Sequence, residues 1–203
     1  MKEFYVLSAA EGDDVPLFFD EMWVPELPEF NQVIANPDVL DFSSSYEMKA
    51  DLNKLHVDVI FEQYLASSEF IRMCENFHCN SLTIPVMISL RGSAKPKKDY
   101  RFFCVLSRCS LLDVDRSTFE LVDDGVLCPE SERQHMSPLY ARIDKFFPRS
   151  DVEYDLFYCE ELKQMVCSSV FREAYLRNSF IGLYFEKIDE GFVYAPWGGR
   201  LSS

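Results

Sequence analysis

Cys74, His78 and Cys79 fall together in "RMCENFHCN" and bring close the two side chains that most often ligate zinc or pair as nucleophile and base. On a helix turning ~100° per residue, Cys74 and Cys79 would point about 140° apart while His78 lies near Cys74. No fourth ligand follows at the usual zinc spacing, so the group reads as buried thiols beside a surface histidine. A cysteine nucleophile could take its base from His56, His78 or His135, because such partners meet in space and not along the chain. Seven cysteines and three histidines make chance combinations numerous. His56 alternates away from the apolar face of its segment, and His135 in "SERQHMS" reads as a loop residue. The acids of "DDVPLFFDE" lack the alternation and closing glutamate of a calcium loop. G-x-S-x-G, H-E-x-x-H, P-loop and G-x-G-x-x-G motifs are absent, and seven glycines leave little for a phosphate cradle. The residues therefore indicate no catalytic group, no metal and no cofactor, with a cysteine-dependent hydrolase as the enzymatic alternative.

The elements that would position such groups read strand-rich. "FYVLSAA" opens the chain as a strand, and "LHVDVIFEQ" places Leu55, Val57, Val59 and Phe61 on one face of another. "SSEFIRMCENFHC" carries Phe70, Met73, Cys74 and Phe77 at helical spacing behind Ser67 and Ser68, either of which can cap. In "SLTIPVMISL" Pro85 cannot donate to a ladder, which predicts an edge strand, open to dimerisation, or a bulge. The basic loop "SAKPKKDYR" leads to the strand "YRFFCVLS", and "SLLDV" and "TFELV" continue as short strands before a "DDG" turn. Residues 129–150 read as loop with a short helix around "PLYARIDKFF". "DLFYC" and "QMVC" then form strands, Ser168 or Ser169 starts a helix through Phe171 and Tyr175, and "FIGLYFEKI" closes as a strand. Strands outnumber helices without regular alternation, so the expected class is α+β with a largely antiparallel sheet. One domain over 1–188 and a tail over 189–203 follow, with Trp197 expected to dock the tail and no internal repeat in view.

Charge is concentrated at one end. Residues 1–51 hold twelve acids and two lysines, a net −10 out of −14 for the whole chain. Within them "EGDDVPLFFDEMWVPELPEF" sets seven acids beside Phe18, Phe19, Trp23 and Phe30, with Pro16, Pro25 and Pro28 breaking any long element. Phosphate contacts need cations, so this surface argues against nucleic acid and for a basic partner. Solubility of a solvated acidic face is the blander explanation. The cysteines are odd in number, unpaired in spacing and set in apolar runs, as expected of reduced thiols in the cytoplasm. No run of apolar residues is long enough for a membrane-spanning helix.

Within residues 99–188, "FFCVLSRCSLLDVDRSTFE" leads a strand into the turn Asp113, Val114, Asp115, Arg116 and Ser117, and "DLFYCEELKQMVCSSVFREAYLRNSFIGLYFEKID" runs strand, Ser-capped helix and a strand holding Gly182, Leu183, Phe185 and Glu186. These features, with the opening "MKEFYVLS", resemble a family of immunity proteins of bacterial polymorphic-toxin systems, formerly catalogued as a domain of unknown function. Asn178 stands where the helix of that family closes on glycine, a place for a left-handed cap that Asn tolerates. The resemblance implies a cytoplasmic protein that is not an enzyme and that binds a cognate toxin or effector, neutralising it by stoichiometric occlusion. Such a toxin is often a nuclease with a basic groove. It carries over no contact residue. On that footing Asp13, Asp14, Asp20, Glu21, Trp23, Glu26, Glu29 and Phe30 are the expected partner-binding surface. The alternative is that Phe18, Phe19 and Trp23 are core residues fixing a loop whose acids face water. An acidic adaptor of a secretion system is a further alternative, and monomer and dimer both remain open.

Overall fold

The computed structural model describes residues 2–12, 15–16, 19–122 and 138–196. Asp13, Asp14, Phe18, the "DDG" turn, Cys128, His135 and Trp197 lie outside them. In chain order the elements are β1 (Phe4–Ala9), β2 (Glu21–Val24), β3 (Tyr46–Ala50), β4 (Val59–Ile60), β5 (Leu65–Ser67), α1 (Ser68–Cys74), β6 (Ser81–Ser89), β7 (Tyr100–Val105), β8 (Arg108–Cys109), β9 (Thr118–Leu121), β10 (Tyr140–Lys145), β11 (Leu156–Cys159), β12 (Gln164–Ser168), α2 (Ser169–Arg177) and β13 (Leu183–Lys187). They form a five-stranded sheet in the order β13-β1-β12-β11-β8, a six-stranded sheet in the order β2-β3-β6-β7-β5-β4, and the pair β10-β9. Pairing is antiparallel except for β3 on β6 and β8 on β11. The protein is thus α+β and strand-rich.

Both helices start at a serine because each strand before them ends on one. Ser67 Oγ accepts from the Phe70 amide (3.2 Å) and Ser168 Oγ from the Phe171 amide (3.3 Å). Such a cap contributes ~1 kcal/mol. In each pair of adjacent serines the first is the cap.

The two helices belong to duplicated units, which corrects the expectation that the chain has no internal repeat. In one unit a hairpin (β4, β5) enters α1, and β7 lies between β5 and β6; in the other a hairpin (β11, β12) enters α2, and β1 lies between β12 and β13. The registers agree: Tyr100 faces Ser67 and Phe102 faces Leu65, as Phe4 faces Ser168 and Val6 faces Val166. The Ser68 amide donates to Asp99 O (2.8 Å), as the Ser169 amide does to Glu3 O (2.9 Å). Each hairpin turn closes on a non-glycine residue in the left-handed region, Tyr64 at φ 53° and Lys163 at φ 52°. The opening strand of the chain therefore completes the sheet of the second hairpin, and β7 completes that of the first.

The two units share a core. Phe70 and Phe171, equivalent residues of α1 and α2, meet edge to face at 6.2 Å, within a buried cluster that includes Tyr5, Leu7, Phe103, Val105, Leu156 and Tyr175. Each such ring removes apolar area worth about 1.5–3 kcal/mol from water. Gly182 fits here alone: its φ is 127° and a Cβ would lie 2.5 Å from Val59 O. Phe4, Val6, Phe146, Phe157, Ile188 and Phe192 build a second cluster on the other face of the first sheet. Phe192 and Tyr194 dock the start of the expected tail, Tyr194 exchanging backbone hydrogen bonds with Ile143 at 2.9 and 3.0 Å.

Five local expectations change. Residues 140–145 are a strand, not a helix: two register shifts put Tyr140, Ile143 and Phe146 inward, so bulges imitate helical spacing. β6 is internal to the sheet order, not its edge strand: Pro85 is where it passes from pairing with β7 (81–85) to pairing with β3 (86–89). Only Val59 and Ile60 of the segment 55–61 are in a strand. Asp58, on the side that alternation assigned to solvent, is 2% exposed. Asn178 stays right-handed at φ −82°, and Ser179 takes the left-handed place at φ 55°.

Candidate functional site

The acidic arm is held by its rings. β2 lies antiparallel on β3, and alternation turns Trp23 inward opposite Met48 while Met22 and Val24 face out. The Trp23 ring meets Tyr46 at 5.8 Å and Phe102 at 6.2 Å, both edge to face, and Phe19 packs on the adjoining cluster. Trp23 Nε1 donates to Glu21 Oε1 at 3.2 Å. Partial desolvation raises the Glu21 carboxyl above the usual carboxylate range, against the lowering effect of that hydrogen bond.

Between β2 and β3, residues 25–45 run as a strap across the six-stranded sheet. Phe30 meets Tyr64 at 4.9 Å and Phe42 at 5.6 Å, and Phe42 meets Phe102 at 5.2 Å. Polar side chains tie the strap to the junction of β7 and β8. Gln32 Nε2 donates to Val105 O and Asn36 Nδ2 to Leu106 O, both at 2.7 Å. Arg108 donates to Gln32 O at 2.5 Å and forks onto both oxygens of Glu160 at 2.8 and 3.1 Å. The bends carry their own caps: Asn31 Oδ1 accepts from the Val33 amide (3.0 Å) and Asp38 Oδ1 from the Leu40 amide (2.9 Å).

Of the expected site residues, Asp20, Glu21, Glu26 and Glu29 are exposed, whereas Trp23 and Phe30 are half-buried and turned into one aromatic cluster. The rings behave as anchors of the strap, as the core alternative had it for Phe19 and Trp23. Asp20, Glu26 and Glu29 make no ion pair among the described residues. From Glu3 to Met48 the sequence holds no Lys or Arg. What spacing missed is the apolar content of the bends: Val33 and Ile34 are 47% and 57% exposed, Val39 and Leu40 48% and 90%. Their signal in the sequence is aliphatic pairs among turn-formers, "NQVIANPDVLD".

Of the six described thiols, four are buried and two half-buried. Burial pushes Cys79, Cys104 and Cys109 up to about 12, and raises Cys74, Cys159 and Cys167 as well. A nucleophile or ligand needs the opposite shift. His78 and Cys79 border an open cleft with Cys109 and Arg149, and His78 Nδ1 lies 3.3 Å from Glu153 O. Among the described residues no three His, Cys, Asp or Glu side chains gather as a metal would need, and no helix is long and apolar enough to cross a membrane.

No protein-family model matches this sequence, and no curated protein matches it.

Proposed function

We propose that this is an immunity protein, a cytoplasmic stoichiometric inhibitor that binds a cognate toxin or effector and occludes it. The observation that carries the reading is the one-signed arm: exposed acids, of which Asp20, Glu26 and Glu29 make no ion pair among the described residues, over a stretch free of Lys and Arg that leads into a strap fixed by aromatic and polar anchors. Fixed geometry lowers the ordering cost of association, and a negative face speeds encounter with a positive one, to as much as ~10⁸–10⁹ M⁻¹s⁻¹ at low salt. A toxin that handles a polyanion, such as a nuclease, offers that positive face. The resemblance over residues 99–188 supports the same class. The raised thiols give the cysteine-hydrolase alternative no support.

Co-production with the product of the adjacent gene tests the reading. Growth is restored when this protein is present and stays restored when any single Cys or His is replaced. Binding without rescue would assign it to the adaptor class.

A further inference from the structure

The strap lies in the stretch of chain between β1, which completes the second unit, and β4, which opens the first. It displays four aliphatic side chains within the span 33–40, with Leu40 the most exposed large hydrophobic residue among those described. Exposed aliphatic side chains on a loop that the protein holds in place are the kind of surface a partner covers. Its surroundings select that partner. Glu26, Glu29, Asp38 and Asp41 share the strap and are exposed. Arg108, which touches the strap, lies beneath it with its side chain 13% exposed and its charge spent on Glu160, and Lys163, which shares a groove with Phe30 and Val33, is also paired with Glu160. A second copy would bring the same negative charge against itself, and the whole chain carries −14.

We infer that Val33, Ile34, Val39 and Leu40 are the apolar anchors by which the strap docks into a cationic protein surface with an apolar hollow. This moves the anchoring role from Trp23 and Phe30, which hold the strap from below. The inference rests on the binding-protein reading above and names the contact face for it.

The test titrates a catalytically silenced form of the adjacent gene's product with the full-length protein and with Ile34→Ser, Leu40→Ser and the double variant. Leu40→Ser is expected to weaken binding about thirtyfold, the loss of one hot-spot anchor of ~2 kcal/mol. Its unfolding midpoint stays that of the parent, because the side chain is exposed. Met87→Ser and Val170→Ser, exposed elsewhere, bind as the parent does. Added salt weakens the parent complex. If the parent binds and neutralises while the strap variants bind equally well, the inference falls and the immunity reading stands. If the parent does not bind at all, both fall. A dimer in solution that Leu40→Ser dissociates gives the face to a second copy and overturns the inference.

Discussion

Asp58 and Asp155 hold equivalent places in the two units and each binds across to the other unit. Asp58 Oδ1 accepts from Ser67 Oγ (2.9 Å) and Asp58 Oδ2 from the Ile181 amide (2.9 Å), the residue after α2 and its turn. Asp155 Oδ1 accepts from Ser168 Oγ (2.7 Å) and Asp155 Oδ2 from the His78 amide (3.2 Å), after α1 and its turn. Lys98 pairs with Asp58 at 2.7 Å and Lys2 with Asp155 at 3.0 Å. Each carboxylate thus holds its own helix cap and the exit of the opposite helix, so the two units are latched reciprocally.

The latches predict a large cost for truncation. Asp58→Ala strands the Ile181 amide, the Ser67 hydroxyl and the Lys98 ammonium around a buried site, and should destabilise by about 3–5 kcal/mol, measured by urea unfolding. A loss under ~1 kcal/mol would show that the latch carries little.

The second latch predicts a pH dependence. Burial raises the Asp155 carboxyl, but hydrogen bonds from Ser168, Lys2 and the His78 amide together outweigh it, and the group titrates below the ordinary aspartate value. A carboxyl lowered on folding adds stability above its unfolded value, ~3.9, and loses it as pH falls through the folded value. The stability gap between the parent and Asp155→Asn should therefore be widest near neutrality and shrink below pH about 4. A gap that widens on acidification would contradict the assignment.

Gly182→Ala should destabilise by well over ~1 kcal/mol, since both the positive φ and the contact with Val59 O oppose a methyl group. Thermal unfolding measures it, and an unchanged midpoint would refute the close approach.

Trp23→Ala separates support from contact. It should lower stability by about 2 kcal/mol, less than the ~3–5 of a fully buried ring, and leave affinity for the partner within a few-fold while the protein remains folded. Lost affinity without lost stability would return Trp23 to the contact surface.

The four buried thiols should be inert in the native state. In protein carrying Cys79→Ser, Cys109→Ser and Cys128→Ser, reaction with a thiol reagent at neutral pH should proceed only as the chain unfolds, because Cys74, Cys104, Cys159 and Cys167 are enclosed in the core. A fast phase with one equivalent of label would reopen the nucleophile.

Elements with local signals were legible in the sequence. Both Ser-capped helices and the strands β1, β7, β11 and β12 announce themselves by caps and apolar runs. The duplication was not, because its marks are hydrogen bonds between distant residues. Its sequence trace is little more than "LASSEF" beside "VCSSVF". Asp58 defeats alternation because its burial depends on partners from Ser67, Lys98 and Ile181. β10 defeats it through bulges, which no spacing rule within one strand reveals. At the candidate site, the exposed acids were legible as charge. Which apolar side chains face outward there was fixed by tethers to Val105, Leu106 and Arg108, far along the chain.

Titration of the adjacent gene's product with purified protein tests the central claim most directly. Stoichiometric occlusion predicts that its activity falls linearly and ends at one equivalent. Undiminished activity in large excess of the protein, or abolition by a small fraction of an equivalent, would contradict it.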